Sequence, residues 1–159
     1  QALENITSSQ WPDRINVHHA NILNYRPAGN YGLILSNPPF FANDLKAGGP
    51  SRNLARHEDS IQLDSLFRLT VPWLSNEGYW AILVPAHRTA MAIESACRES
   101  LFLLQETRVR QTSEHAPFRS MLLFGKNQEA LENDEIIIRQ EVKYSQEFID
   151  LLQPYYLHL

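Results

Sequence analysis

Cysteine is almost absent from this sequence, which has one, Cys97, in 159 residues. An intramolecular disulfide and a cysteine-rich zinc site are therefore excluded. The apolar stretches fall far short of the roughly 20 residues that cross a membrane, and the start has no basic-then-apolar secretory signal. No P-loop, zinc-ligand spacing or Ser-His-Asp order is present. We expect a cytoplasmic protein that binds neither a membrane nor a metal.

Positive charge is also in short supply, because 14 Lys and Arg residues face 18 Asp and Glu residues, for a net charge of −4. Non-specific affinity for nucleic acid comes mainly from basic charge, so a general nucleic-acid coat is excluded while a local basic face is not. The cations that can form such a face are Arg52, Arg56, Arg108, Arg110, Arg119 and Lys126.

The apolar pattern predicts one α/β domain with a sizeable core. Strands are expected at 31–36, 79–84, 101–109 and 120–125, with short ones at 15–18 and near 136–138. Helices are expected at 1–6, 61–74, 88–99 and 145–152, with Ser145 as an N-cap. Strands that alternate with helices predict a parallel sheet with crossover helices, in which ligands bind beyond the carboxyl ends of the strands.

The segment Asn37-Pro38-Pro39-Phe40 directly follows the apolar strand 31–36, which is predicted to be buried on both faces of the sheet. The Asn37 side-chain oxygen and the Pro38 carbonyl can each accept one N–H of a planar NH₂ group, which leaves the nitrogen lone pair aimed at a methyl donor. The prolines hold the loop extended, and Phe40 can stack on the substrate ring, which is worth roughly 1–3 kcal/mol for a nucleobase. This chemistry favours methyl transfer to an amine nitrogen. The alternative is a rigid turn with Phe40 buried.

Three further residues are candidates for substrate binding. Arg56 and His57 end a long polar loop after Phe40, and such a loop is long enough to be a functional flap. Arg88 follows the strand 79–84 at its carboxyl end. Contact with substrate phosphates and plain surface placement remain open for each of them.

The motif Ser36-Asn37-Pro38-Pro39-Phe40 matches the N-P-P-[YF] motif of class I S-adenosylmethionine-dependent amino methyltransferases. The segments 1–5, 14–18, 55–58 and 144–157 resemble the bacterial valine-tRNA adenine-N6 methyltransferase family. The resemblance implies a Rossmann-like class I methyltransferase sheet and methylation of N6 of the tRNA adenosine beside the anticodon, with S-adenosylmethionine as donor. It also implies that Asn21, Ile22 and Asn37 bind the cofactor, with Asn21 where the family usually has Asp.

The sequence departs from that family in its glycines, since none of the six lies in a G-x-G turn after a strand. We therefore expect residues 1–159 to be the C-terminal portion of a single methyltransferase domain, lacking the N-terminal strands and glycine-rich loop. Such a piece can dimerise through an exposed sheet edge, whereas the complete enzyme is expected to be a monomer. Two alternatives stay open: a related methyltransferase acting on a protein glutamine amide, ribosomal RNA or a DNA base, and an inactive fragment that cannot bind the cofactor alone.

Overall fold

The computed structural model describes residues 1–38 and 63–156. Its centre is a five-stranded sheet with the strand order β1-β2-β4-β3-β5. The strands are β1 (Tyr31–Ser36), β2 (Leu74–Pro85), β3 (Phe102–Arg110), β4 (Arg119–Gly125) and β5 (Glu132–Ile137). The helices are α1 (Ala2–Thr7), α2 (Leu63–Thr70), α3 (Thr89–Arg98) and α4 (Gln146–Leu152), and a small hairpin joins β6 (Arg139–Gln140) to β7 (Lys143–Tyr144). None of these helices has the length and apolarity that crossing a bilayer requires.

The α/β class is confirmed, but the prediction of a wholly parallel sheet is wrong. The pairs β1/β2 and β3/β5 are parallel, whereas β4 runs antiparallel to both of its neighbours. Only residues 111–118 connect β3 to β4, and a parallel crossover needs about a dozen residues or more. The short connection therefore forces the antiparallel arrangement.

Helices α2 and α3 cover one face of the sheet and form the core with it. The ring of Phe67 on α2 lies 4.3 Å from the Trp80 ring and 5.6 Å from the Phe124 ring. Thr70 Oγ1 accepts a hydrogen bond of 2.9 Å from Trp80 Nε1, so the one polar atom of this buried indole is paired. The helix α2 then ends in a short 3-10 turn, Val71–Trp73, at Pro72.

The opposite face of the sheet is open in the described part of the chain. Leu33 is 59% exposed and Leu35 is 78% exposed on β1, and their neighbours Tyr79 and Met121 are exposed on the same side. The prediction that strand 31–36 is buried on both faces is therefore wrong. The physical reason is that α2 and α3 both lie on the other face.

Two local predictions also differ from the structure. Residues 15–18 form no strand, and Ile15 and Val17 are each 41% exposed, because no described strand lies beside them. The sequence predicts a break at residues 76–78, between the helix 61–74 and the strand 79–84, but these residues lie inside β2, opposite an irregularity in the β1 pairing. The N-cap prediction is confirmed, since the Ser145 side chain accepts a hydrogen bond from Phe148 N at the start of α4.

Candidate active site

The parallel strands β1 and β2 end at the same edge of the sheet, with Ser36 aligned to Ile82. We call this the carboxyl edge; it comprises residues 37–38, 85–88, 110–119 and 136–145. Asn37 continues β1 and is exposed, and Pro38 is half-buried. The Asn37 side chain forms no hydrogen bond within residues 1–38 and 63–156. The start of the predicted clamp thus lies where an α/β sheet binds its ligands.

Four predicted site residues, Pro39, Phe40, Arg56 and His57, lie outside the described residues. Their roles remain predictions.

Arg88 lies at the carboxyl edge, in the 3-10 turn Ala86–Arg88 that directly follows β2. The first residue of this turn is held in place, because Ala86 N donates a 3.1 Å hydrogen bond to the carbonyl of Phe118. The structure therefore brings Arg88 to the same edge as Asn37, as the parallel pairing of β1 and β2 requires. A role in substrate binding stays a prediction.

Asn21 and Ile22 lie in a turn before β1. Asn21 Oδ1 accepts a 2.9 Å hydrogen bond from Leu23 N, and Ile22 packs against the core. The turn is anchored near the start of β1, where the hydroxyls of Tyr25 and Tyr31 are 3.0 Å apart. This hydrogen bond raises the pKa of Tyr31 above its usual value.

The turn keeps one acceptor for a further hydrogen bond. An amide oxygen has two lone pairs, and the bond from Leu23 uses one, so Asn21 Oδ1 can accept a second hydrogen bond from an adenine amino group. Ile22 supplies an apolar side chain beside it. The cofactor role of Asn21, Ile22 and Asn37 remains a prediction.

The cations that the sequence grouped together separate in the structure. Arg119 begins β4 at the carboxyl edge, and Arg110 ends β3 there and pairs with Glu135 at 2.6 Å. Lys126 lies at the opposite edge, where its Nζ donates a 2.7 Å hydrogen bond to Leu74 O. Arg108 is bound by Glu106, whose hydrogen bond and charge raise the pKa of the guanidinium. Of these four cations, Arg119 and the already paired Arg110 thus lie at the carboxyl edge.

The structure adds a group of side chains that the sequence did not reveal. The Arg139 guanidinium lies 5.1 Å from the centre of the Tyr144 ring, and Tyr144 stacks on Phe148 at 5.3 Å. The strands β6 and β7 have two residues each, too few for an alternating pattern. The sequence feature that indicates this group is the adjacent basic and aromatic pair Lys143-Tyr144, directly before the N-cap Ser145.

Comparisons with known proteins were made over the whole sequence. The chain is 34% identical over 163 residues to the tRNA1(Val) (adenine(37)-N6)-methyltransferase of Flavobacterium johnsoniae, an alignment that covers 100% of this chain and 69% of the relative. A relative of the same name from Pseudoalteromonas translucida is 34% identical over 161 residues, with 100% and 68% covered.

The fold has its own relatives among solved structures. A predicted O-methyltransferase from Agrobacterium tumefaciens superposes with a TM-score of 0.56 at 12% identity, over 77% of this chain and 51% of that one. At this identity the likeness shows the fold alone. No protein-family model matches the chain.

Proposed function

This chain belongs to the tRNA1(Val) (adenine(37)-N6)-methyltransferase family, and we propose that it transfers a methyl group from S-adenosylmethionine to the N6 amine of adenosine 37 in valine tRNA. The observation that carries the proposal is an alignment over the full length of the chain that includes Asn37 and Pro38 at the carboxyl end of β1. The proposed reaction takes place in the cytoplasm, where we expect its tRNA substrate.

The proposed chemistry follows from the acceptors that the chain offers. The N6 lone pair of adenine is delocalised into the ring, so the nitrogen is a poor nucleophile until its two N–H bonds are held. Asn37 Oδ1 and the Pro38 carbonyl accept these N–H groups, and Asn37 is well positioned because it directly continues a paired strand. When bound, S-adenosylmethionine would supply the electrophilic methyl group, whose bond to sulfur breaks so that S-adenosylhomocysteine is left. The methylated nitrogen then releases one proton to water.

The remaining side chains of the proposed site bind the two substrates. Asn21 and Ile22 hold the adenine of the cofactor. Pro39 stiffens the clamp and Phe40 stacks on the target base, as aromatic side chains do with unstacked RNA bases. Arg56, His57 and Arg88 contact the RNA phosphates.

The decisive test is transfer of a labelled methyl group to unmodified valine tRNA. We expect incorporation into this tRNA and none into the same tRNA with guanosine at position 37, because guanosine has no N6 amine. Equal incorporation into both would contradict the proposed target. Incorporation into ribosomal RNA, DNA or a glutamine-containing peptide instead would favour the related methyltransferases.

A calorimetric titration with S-adenosylmethionine tests the inactive-fragment alternative separately. Micromolar binding by this chain would exclude that alternative. Absence of binding would support it, because the methyl donor would then have no site.

We further propose that two copies of this chain associate through the β1 edge. Among the described residues β1 pairs only with β2, so its outer N–H and C=O groups are unpaired, and such edges pair readily with a second chain. Leu33 and Leu35 add exposed apolar area. Light scattering over a concentration series should show a dimer that Leu33→Lys/Leu35→Lys converts to a monomer, while the exposed control Leu151→Lys has no effect. A wild-type chain that stays monomeric throughout would overturn the proposal.

A further inference from the structure

Basic side chains in the described part of the chain differ in whether a carboxylate binds them. Arg68 pairs with Glu99 at 3.4 Å, Arg98 with Asp64 at 2.8 Å and Arg110 with Glu135 at 2.6 Å. By contrast, Arg119, Arg139 and Lys143 form no ion pair within residues 1–38 and 63–156. No carboxylate therefore neutralises their charges in the described part of the fold.

These three cations all lie at the carboxyl edge. Arg119 is aligned with Pro85 on β2 and with Val109 on β3. It therefore lies at the carboxyl edge, two strands away from β1, which Asn37 continues. Arg139 follows β5, and its backbone N–H donates a 2.9 Å hydrogen bond to Gln111 O beyond the end of β3. Strands are spaced about 4.8 Å apart, which puts β4 roughly 10 Å and β5 roughly 19 Å from β1.

Arg139 is also held in position before any ligand arrives. Its guanidinium lies over the Tyr144 ring, which Phe148 supports from the next helix. Ser145 fixes this hairpin to the end of β5, because its hydroxyl donates to the Ile137 carbonyl. Arg139 Nε is buried without a hydrogen-bond partner among the described residues, and the two terminal nitrogens form no hydrogen bond there either. A cation in this state is well prepared to receive an anionic oxygen.

Aromatic side chains occur among these cations. Phe118, which precedes Arg119, is 44% exposed, and Tyr144, which follows Lys143, is 38% exposed. Basic and aromatic side chains on one surface are typical of nucleic-acid contacts, where cations bind phosphates and rings stack on bases. Two acids, Glu114 and Glu141, are exposed at the same edge, so the surface is less attractive to phosphates than its cations alone would make it.

We propose that Arg119, Arg139 and Lys143 bind the phosphate backbone of the tRNA arm that carries the target base. This inference rests on the proposed function, because it places the RNA alongside the Asn37 clamp. At a rise of about 3.4 Å per nucleotide along one strand, the distances of roughly 10 and 19 Å correspond to about three to six nucleotides from the target base. The three cations therefore bind the nucleotides that flank the target base and not the base itself.

The experiment measures the Kd of the chain for an unmodified RNA hairpin with the sequence of the valine tRNA anticodon arm. Arg119→Gln, Arg139→Gln and Lys143→Gln should each raise Kd by about threefold to tenfold, and the triple variant by about 100-fold. The matched control is Arg68→Gln, which removes the same charge from an exposed arginine that does not lie at this edge, and it should change Kd less than twofold. Each lost phosphate contact should also lower the slope of log Kd against log salt by about 0.7 to 0.9.

Two further variants separate binding from folding. Lys143→Arg should keep wild-type affinity, because it preserves the charge. Arg139→Lys should bind more weakly than wild type although the charge is kept, because lysine lacks the planar fork that stacks on Tyr144. Thermal melting of every variant checks that the fold is retained. Equal Kd values for the triple variant and Arg68→Gln would overturn the inference, as would a wild-type chain that does not bind the hairpin.

Methyl transfer distinguishes a failure of this inference from a failure of the proposed function. If wild type methylates the tRNA and the triple variant has an unchanged KM, the proposed function stands and the proposed phosphate contacts of the three cations are wrong. If wild type binds the hairpin through the three cations but methylates no adenosine, the proposed reaction fails while the binding surface remains. A raised KM with an unchanged kcat is the result that supports both.

Discussion

The two edges of the central sheet differ in how their polar groups are paired. At the amino edge, where β1 and β2 begin, Lys126 Nζ donates to Leu74 O at 2.7 Å and Arg68 pairs with Glu99. At the carboxyl edge, Asn37 and Arg119 have no polar side-chain partner within the described residues. Among the described residues, Lys126 and Arg68 are thus paired within the protein, whereas Asn37 and Arg119 are not.

The two edges also differ in the charge of their exposed side chains. Glu77, Glu129 and Glu132 lie in the turns and strand starts of the amino edge and are exposed. We therefore expect anionic RNA to be repelled from the amino edge and attracted to the cations of the carboxyl edge, although the net charge of the chain is −4. The comparison predicts that substitutions at the amino edge lower stability, while substitutions at the carboxyl edge lower binding and activity.

The largest effect is expected for Asn37→Ala at the carboxyl edge. Removing one of two positioned acceptors should lower the rate of methyl transfer by roughly 10² to 10³, as for the loss of one positioned hydrogen bond in other active sites. Stability should stay within about 0.5 kcal/mol, because the residue is exposed and its side chain binds nothing in the described structure. Labelled-methyl assays and urea denaturation of the same samples measure both quantities. Unchanged activity would remove the clamp from the mechanism.

Gly78→Ala tests the amino edge and should have the next largest effect. A Cβ at Gly78 would lie 2.9 Å from the Tyr31 carbonyl oxygen and 2.8 Å from Ser75 Oγ, so the backbone of β1 must shift. Overpacking of this kind costs about 1–3 kcal/mol. The matched control is Gly32→Ala on β1, where a Cβ meets nothing within 4 Å and stability should not fall by more than about 0.5 kcal/mol. Equal urea midpoints for the two variants would contradict the close packing of this edge.

The sequence predicted features set by neighbouring residues better than features that depend on distant ones. The buried strands and helices follow from apolar periodicity, and Asn37-Pro38 is a local motif, so both could be read from neighbouring residues. The stacking of Arg139 on Tyr144 depends instead on a hairpin of two-residue strands that carries no periodic signal. The exposure of Leu35 was missed because an apolar run indicates a buried strand without revealing which faces are covered.

Two lysines, one at each edge of the sheet, test the difference between the edges, with a smaller expected effect on stability. Lys126→Met keeps an apolar stem but removes the charged donor to Leu74 O, and we expect it to lower the free energy of unfolding by about 1 kcal/mol. Lys143→Met removes the same charge from the carboxyl edge and should change stability by less than about 0.5 kcal/mol. RNA affinity should respond in the opposite order. Denaturation and hairpin binding of both variants check this, and a larger stability loss for Lys143→Met would break the distinction between the edges.

The smallest effect is expected from lowering the pH, which weakens the ion pair between Asp64 on α2 and Arg98 on α3. The hydrogen bond from Ser95 and the charge of Arg98 hold the pKa of Asp64 below its usual value of 3.8. A carboxyl group whose pKa is lowered by folding stabilises the native state above its unfolded pKa, and this contribution is lost as the pH falls through the folded pKa. The stability difference between wild type and Asp64→Asn should therefore be constant from pH 7 to about pH 5 and shrink below about pH 4. Urea midpoints across this series measure it. A difference that stays constant down to pH 3 would mean that Asp64 does not stabilise the folded state as an anion.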